Sequence, residues 1–191
     1  MEIKDRSFIV TGGAAIRHLI EAGGKAAAFD LADEKGEALA AELGENALYC
    51  HTDVADEASV EEGVQTALSR FGAVHGVINC AGIGIPAKVV GKKGPMPLET
   101  FTKTIQINLV GTFNVIRLAA ARMMENSPNE EGERGVTINT ASMAAYEAQL
   151  PFPPRFGRPA EYARMVAAIR ANPVLNGETI RLDSAMRMQA R

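Results

Sequence analysis

The chain has 191 residues and a net charge of −3 from 20 basic and 23 acidic side chains, which is long enough for one domain with a real core. Apolar residues make up 47% and charged residues 23%, so neither disorder nor low complexity describes it. No basic excess exists to neutralise a phosphate backbone, which excludes nucleic acid as the main partner.

Eighteen glycines, no tryptophan and few aromatics suit helices packed closely on a parallel sheet better than a β-sandwich. The two cysteines, Cys50 and Cys80, lie in apolar runs and fit free thiols of a reducing cytoplasm. The opening MEIKDRS lacks signal-peptide regions, and Gly, His or Pro breaks every long uncharged stretch. No membrane association is expected.

In chain order, residues 7–11 predict a short buried strand ended by Gly12-Gly13, and 14–22 a helix stopped by Gly23-Gly24. Residues 25–29 form a second apolar strand ending on Asp30. Residues 33–43 read as a helix with acid at its start and Gly44 at its stop. A third strand at 46–51 precedes Thr52-Asp53-Val54. The helix 56–71 carries Val60, Val64, Ala67, Leu68 and Phe71 on one face. Residues 73–80 predict a fourth buried strand, 81–97 a Gly/Pro/Lys-rich loop, and 98–125 a long helix. An acidic loop leads to a fifth strand at 136–140. One more helix (Pro159 to Ala171) and one more strand (Glu178 to Leu182) follow. This rhythm predicts an α/β, Rossmann-type, doubly wound parallel sheet over residues 1–191 as a single domain.

Two places do not close physically. A five-residue strand advances about 16 Å at ~3.3 Å per residue, whereas a helix over 14–22 returns only about 13 Å at ~1.5 Å per residue. The first crossover, around residues 13–15, therefore looks too short. After Ser142, LPFPPRFGRP holds four prolines in ten residues and can be neither helix nor central strand. The strand–helix unit usual before the last strand is missing.

Thr11-Gly12-Gly13, Asp30, Asp53-Val54, Asn79-Cys80-Ala81-Gly82, Asn108 and Ser142 resemble, in order and spacing, the motifs of short-chain dehydrogenases/reductases. NCAGI, VVGKKGPMPLETF, INLVGTFNVIRLAA, NSPNEEGERGV and FPPRFGRPAEYA…NGETIRLDSAMRM are similar to the type II 3-hydroxyacyl-CoA dehydrogenases within that family. The departures coincide with the two physical gaps. The family turn T-G-x-x-x-G-x-G loses its last two glycines here. No Tyr-x-x-x-Lys exists: Tyr146 is followed by Leu150 and Tyr162 by Val166. A block like the family's sixth strand, active-site helix and substrate loop is cut out between about Gln149 and Leu150.

Small residues at Thr11, Gly12 and Gly13 let backbone approach a pyrophosphate; an ordinary βα turn is the alternative. Asp30, about twenty residues beyond that turn, can accept hydrogen bonds from the adenosine ribose and repel a 2′-phosphate, favouring NAD over NADP. Its alternative is a cap for helix 33–43, a role Asp33 could also fill. Asp53 and Val54 resemble the pair that holds adenine, or else form a plain turn capped by Asp56. Asn79, Cys80, Ala81 and Gly82 close the fourth strand where the cofactor ribose would lie. There Asn79 reads as a structural hydrogen-bonding residue and Cys80 as a small hydrophobe. Asn108 is a poor helix-interior residue. The resemblance gives it a water in the proton relay, and local helix distortion is the alternative. Ser142 would orient the substrate oxygen by resemblance; taken alone it is a helix cap.

The histidines have no metal-ligand spacing and no metal is expected. The resemblance implies an NAD-dependent oxidoreductase that moves a hydride between C3 of a 3-hydroxyacyl-CoA and the nicotinamide, with an acyl-CoA-type substrate and a homotetrameric assembly. A sister dehydrogenase acting on a steroid or simple alcohol is an alternative. So is a non-catalytic scaffold, if the Tyr-x-x-x-Lys segment is truly absent.

Overall fold

The computed structural model describes residues 2–13, 15–85, 87–92, 94–140 and 159–171. Five strands form a parallel sheet: β1 (Ser7–Thr11), β2 (Lys25–Asp30), β3 (Ala47–His51), β4 (Gly76–Asn79) and, last among the described residues, β7 (Val136–Asn139). Their order is β3-β2-β1-β4-β7. Pairing is in full register, from Ser7↔Lys25 to Thr11↔Phe29 between β1 and β2, and from Phe8↔Gly76 to Thr11↔Asn79 between β1 and β4.

Strand side chains alternate between faces, and the sequence uses both faces. Ile9, Ala27, Phe29 and Val77 meet α3 (Glu57–Phe71) and α5 (Thr112–Met123) through Val60, Val64, Val115 and Ala119. Phe8, Val10, Ala26, Ala28 and Ile78 face the other way, onto Ile16 and Leu19 of α1 (Ile16–Glu21) and Val166 of α6 (Pro159–Ala171). Two cores on one sheet explain why the strands read as continuous apolar runs. α2 (Asp33–Leu43) packs on the same side as α1, with Leu39 and Leu43 against that second core.

Several boundaries differ from expectation. The first helix is only Ile16–Glu21, yet β1 and β2 pair along their whole length. The crossover closes because Gly12 and Gly13 take φ of +74° and +67°, and because Gly23 and Gly24 donate back to Ile20 and Leu19. Turns, not helix, complete the return, and residues 12–24 suffice for the ~10–12-residue minimum of a βαβ crossover. The loop 81–97 contains a short antiparallel hairpin, β5 (Val90–Gly91) with β6 (Gly94–Pro95). The long helix of 98–125 divides into α4 (Leu98–Ile105), a π turn (Gln106–Gly111) and α5. On the far side of β7 no strand pairs with it among the described residues. The junction near Gln149 and Leu150 and the strand expected at Glu178 to Leu182 lie outside the described residues.

At the N-terminal edge of the sheet the Nδ1 atom of His75 accepts the backbone N–H of Ser7 at 3.2 Å. The ring is therefore neutral, with its proton on Nε2. Burial, with Arg6 nearby, holds its pKa below the ordinary 6.5. Protonation thus favours the unfolded chain: the contribution to stability is complete above pH 6.5 and is lost as pH falls through the lower folded value. A melting temperature that declines below pH 6.5, with part of the decline removed in His75→Asn, is the expected result. A variant with the wild-type pH profile would contradict it.

Candidate functional site

The order of the sheet reverses at β1, whose neighbours are β2 on one side and β4 on the other. A crevice opens there at the carboxyl ends of the strands, and those of the residues singled out from the sequence that are described follow the strand ends around it. Thr11 ends β1 with its Oγ1 accepting the N–H groups of Cys80 (3.0 Å) and Ala81 (2.9 Å). This hydroxyl ties the loops after β1 and β4 together. Gly12 lies against the turn after β4: a Cβ there would sit 3.2 Å from Ala81 N and Cys80 C. With its positive φ, this is a position only glycine fills without strain. Around Gly13 and Gly84 a Cβ would meet nothing within 4 Å, so the cleft beside the first turn is open space. α1 begins without a side-chain cap, which leaves backbone N–H groups as the polar surface of this turn.

Asp30 closes β2. Its Oδ1 accepts Ala32 N at 3.1 Å, and its backbone carbonyl accepts the Tyr49 hydroxyl at 2.9 Å. Neither Asp30 nor Asp33 caps α2, whose N-cap is Ala32 with no side-chain bond. Asp33 instead accepts the Tyr49 hydroxyl and meets His51 Nδ1, each at 2.6 Å. The Tyr49 bond, then His51, holds its carboxyl below the usual carboxylate range.

Asp53 and Val54 follow β3. Asp53 Oδ1 accepts Ala55 N at 2.9 Å, Val54 is buried, and Asp56 caps α3 through Ser59 N at 2.7 Å. Asp53 and Ala55 form one wall of a groove of about 630 Å³ whose other wall includes Leu98, Thr102, Gln106 and Ile107.

Asn79, the last residue of β4, donates through Nδ2 to Asn139 Oδ1 at 2.9 Å. Its own Oδ1 is buried without a partner, a costly state for an amide oxygen. Cys80 donates to the Tyr162 hydroxyl at 3.5 Å, and that hydroxyl also meets Thr140 Oγ1 at 2.8 Å. Cys50 is buried, and burial pushes its thiol up to about 11, which makes it inert.

Asn108 lies in the π turn. Its Oδ1 accepts Ile83 N and its Nδ2 donates to Ile83 O, both at 2.8 Å. The amide thus clasps the loop after β4, and a Cβ on Gly82 would lie 3.2 Å from Asn108 Oδ1. Its main-chain carbonyl accepts Thr112 Oγ1 at 2.8 Å. Ser142 lies outside the described residues. Asn114, a buried polar residue of α5, lies within the run INLVGTFNVIRLAA but is not among the site residues singled out from the sequence. The only signal for it in the sequence is the one Asn108 gives, an amide where a helix prefers apolar residues.

The family model for short chain dehydrogenases matches residues 9–153. The chain belongs to the short-chain dehydrogenase family. It is 36% identical to the human 3-hydroxyacyl-CoA dehydrogenase type-2, over 98% of this chain and 97% of that protein. Its identity to the Drosophila melanogaster protein of the same name is 34%, over 97% and 99%. A crystal structure of 3-hydroxyacyl-CoA dehydrogenase type-2 from Mycobacterium avium superposes with a TM-score of 0.90, at 31% identity and 98% coverage of both chains. The alignment with the human protein runs over 253 residues, although this chain has 191. With both chains covered almost end to end, the excess falls in internal segments that the relative has and this short-chain dehydrogenase lacks. Family membership makes it an oxidoreductase of a nicotinamide-using class.

Among the described residues no group of three or more His, Cys, Asp and Glu side chains could hold a metal. No helix among them is long and apolar enough to cross a membrane.

Proposed function

We propose that residues 1–191 form a single dinucleotide-binding domain that takes NAD across the carboxyl ends of β1 to β4. The complete catalyst would move a hydride between the C3 carbinol of a 3-hydroxyacyl-CoA and the nicotinamide. The observation that carries this reading is the end-to-end similarity to enzymes named 3-hydroxyacyl-CoA dehydrogenase type-2. The cleft fits the cofactor: open space beside Gly13 and a clear approach at Gly12 accommodate a pyrophosphate. Asp30 stands where a ribose hydroxyl would donate to it, Asp53 and Val54 take the adenine end, and Asn79 to Gly82 line the ribose beside the nicotinamide. When bound, the nicotinamide supplies the hydride acceptor. Asn108 shapes the loop at that end, and Ser142 would orient the substrate oxygen. An exposed apolar row, Leu98, Phe101, Ile105, Leu109 and Phe113, supports assembly into a homotetramer. Free cysteines support a cytoplasmic location.

The missing Tyr-x-x-x-Lys favours a second reading, a scaffold that binds the cofactor without turning it over. Calorimetric titration of the chain with NAD and NADP tests the binding common to both. Saturable binding with NAD clearly tighter than NADP is expected, and no binding of either would overturn the cofactor assignment.

A further inference from the structure

The turn between β3 and α3 is held from outside by one face of α5. Gly111 abuts Val54, since a Cβ there would lie 2.7 Å from Val54 Cγ2. Just beyond it, Asn114 Nδ2 donates to Val54 O at 3.0 Å and to Asp56 O at 3.2 Å. Both protons of one amide thus engage the carbonyls on either side of Ala55. The amide is fixed in turn: Asn114 Oδ1 accepts Arg117 Nη2 at 2.8 Å, and Arg117 reaches Glu57 Oε1, on the first residue of α3, at 2.7 Å. Asn114 is buried while Arg117 and Glu57 face solvent, so the precise donor is shielded from water and the charged groups lock it from the surface. The turn's other hydrogen bonds are local (Ala55 N to Asp53 Oδ1, Asp56 N to Asp53 O), reach α3 (Asp53 N to Ser59 Oγ) or reach the end of β2 (Thr52 N to Asp30 O); Asn114 adds its hydrogen bonds to α5.

We infer that Asn114 is a positioning residue for the adenine end of the cofactor site, setting the placement of Asp53 and Val54 through the carbonyls of Val54 and Asp56. Resting on the NAD reading above, this inference adds a residue that touches no part of the cofactor. It also divides the labour along one helix. Asn108, in the π turn, holds the loop after β4, while Asn114 holds the loop after β3. Loss of Asn114 therefore acts on adenine recognition and leaves the Asn108–Ile83 clasp in place.

The test uses the full chain and two probes, AMP and NAD, titrated calorimetrically well below the melting temperature. Asn114→Ala is expected to weaken AMP and NAD by the same factor, roughly tenfold, as loss of buried hydrogen bonds at one end would give. Asn114→Ser, which keeps one donor, recovers part of the affinity. A purely structural role would lower the melting temperature but leave both dissociation constants of the folded protein unchanged, and that result overturns the inference. If Asn114→Ala does not fold, Gly111→Ala decides: its methyl presses on Val54, so reduced AMP affinity supports the inference and wild-type affinity overturns it. A wild-type chain that binds neither probe overturns the cofactor reading itself, and is distinct from a wild-type chain that binds both while Asn114→Ala binds equally well.

Discussion

A polypeptide of these 191 residues is expected to reduce a short 3-oxoacyl-CoA with NADH about 10²–10⁴-fold more slowly than the same chain with a relative's Tyr-x-x-x-Lys block inserted after Gln149. The carbinol proton needs a positioned acid and base, and none of the three tyrosines supplies one. Tyr49 is followed four residues later by Asp53, Tyr146 by Leu150 and Tyr162 by Val166, so none has the partner lysine. Among the described residues, Tyr162 meets Cys80 and Thr140, at the ends of β4 and β7. Burial and its bond with Cys80 push its phenol up, away from the range a neutral-pH proton relay needs. NADH absorbance gives the rate, and equal turnover by the two chains would show that another group does the work. A native polypeptide whose intact mass exceeds 20.3 kDa by several kDa would carry the block itself, and full activity is then expected of it.

The second large effect is expected at Asp30. Its carboxylate accepts one hydrogen bond among the described residues, from the N–H of Ala32, so it keeps acceptor capacity for a ribose diol. Hydrogen bonds to a charged group are worth about 1.5–3 kcal/mol, so Asp30→Ala should weaken NAD by roughly 10- to 100-fold. Removing the negative charge should at the same time improve NADP. Parallel titrations with both cofactors give the ratio. Equal affinities in the wild type, or an unchanged ratio in the variant, would refute the role given to Asp30.

The prediction for Asp30 follows from sequence position alone, whereas the one for Asn114 does not, and the contrast is physical. A strand buried on both faces must be apolar throughout, so SFIVT, KAAAF and GVIN announce themselves, and the polar residue ending each one falls at the sheet's carboxyl edge. Local chemistry likewise marks Asp56 as a cap, because its partner Ser59 is three residues away. Hydropathy along 98–125 shows a helix but is blind to the π turn at Gln106–Gly111. The Asn108 clasp inside that turn is made with Ile83, 25 residues away. The expected length of the first helix failed for a related reason: helix rise is a local quantity, whereas the path from β1 to β2 is completed by glycine turns whose φ values no periodicity reveals.

By itself, then, the sequence determined the alternation of strands and helices, the family and the set of polar residues at the strand ends, because burial and capping act over a few residues. Tertiary structure alone decided which of those residues hold one another. Thr11 bonds the loop after β4, Asn108 bonds Ile83, Asn114 bonds Val54 and Asp56, and Tyr162 meets both Cys80 and Thr140. Each of these bonds joins residues brought together only by the order of the strands, and a hydrogen bond requires a distance that spacing along the chain does not supply.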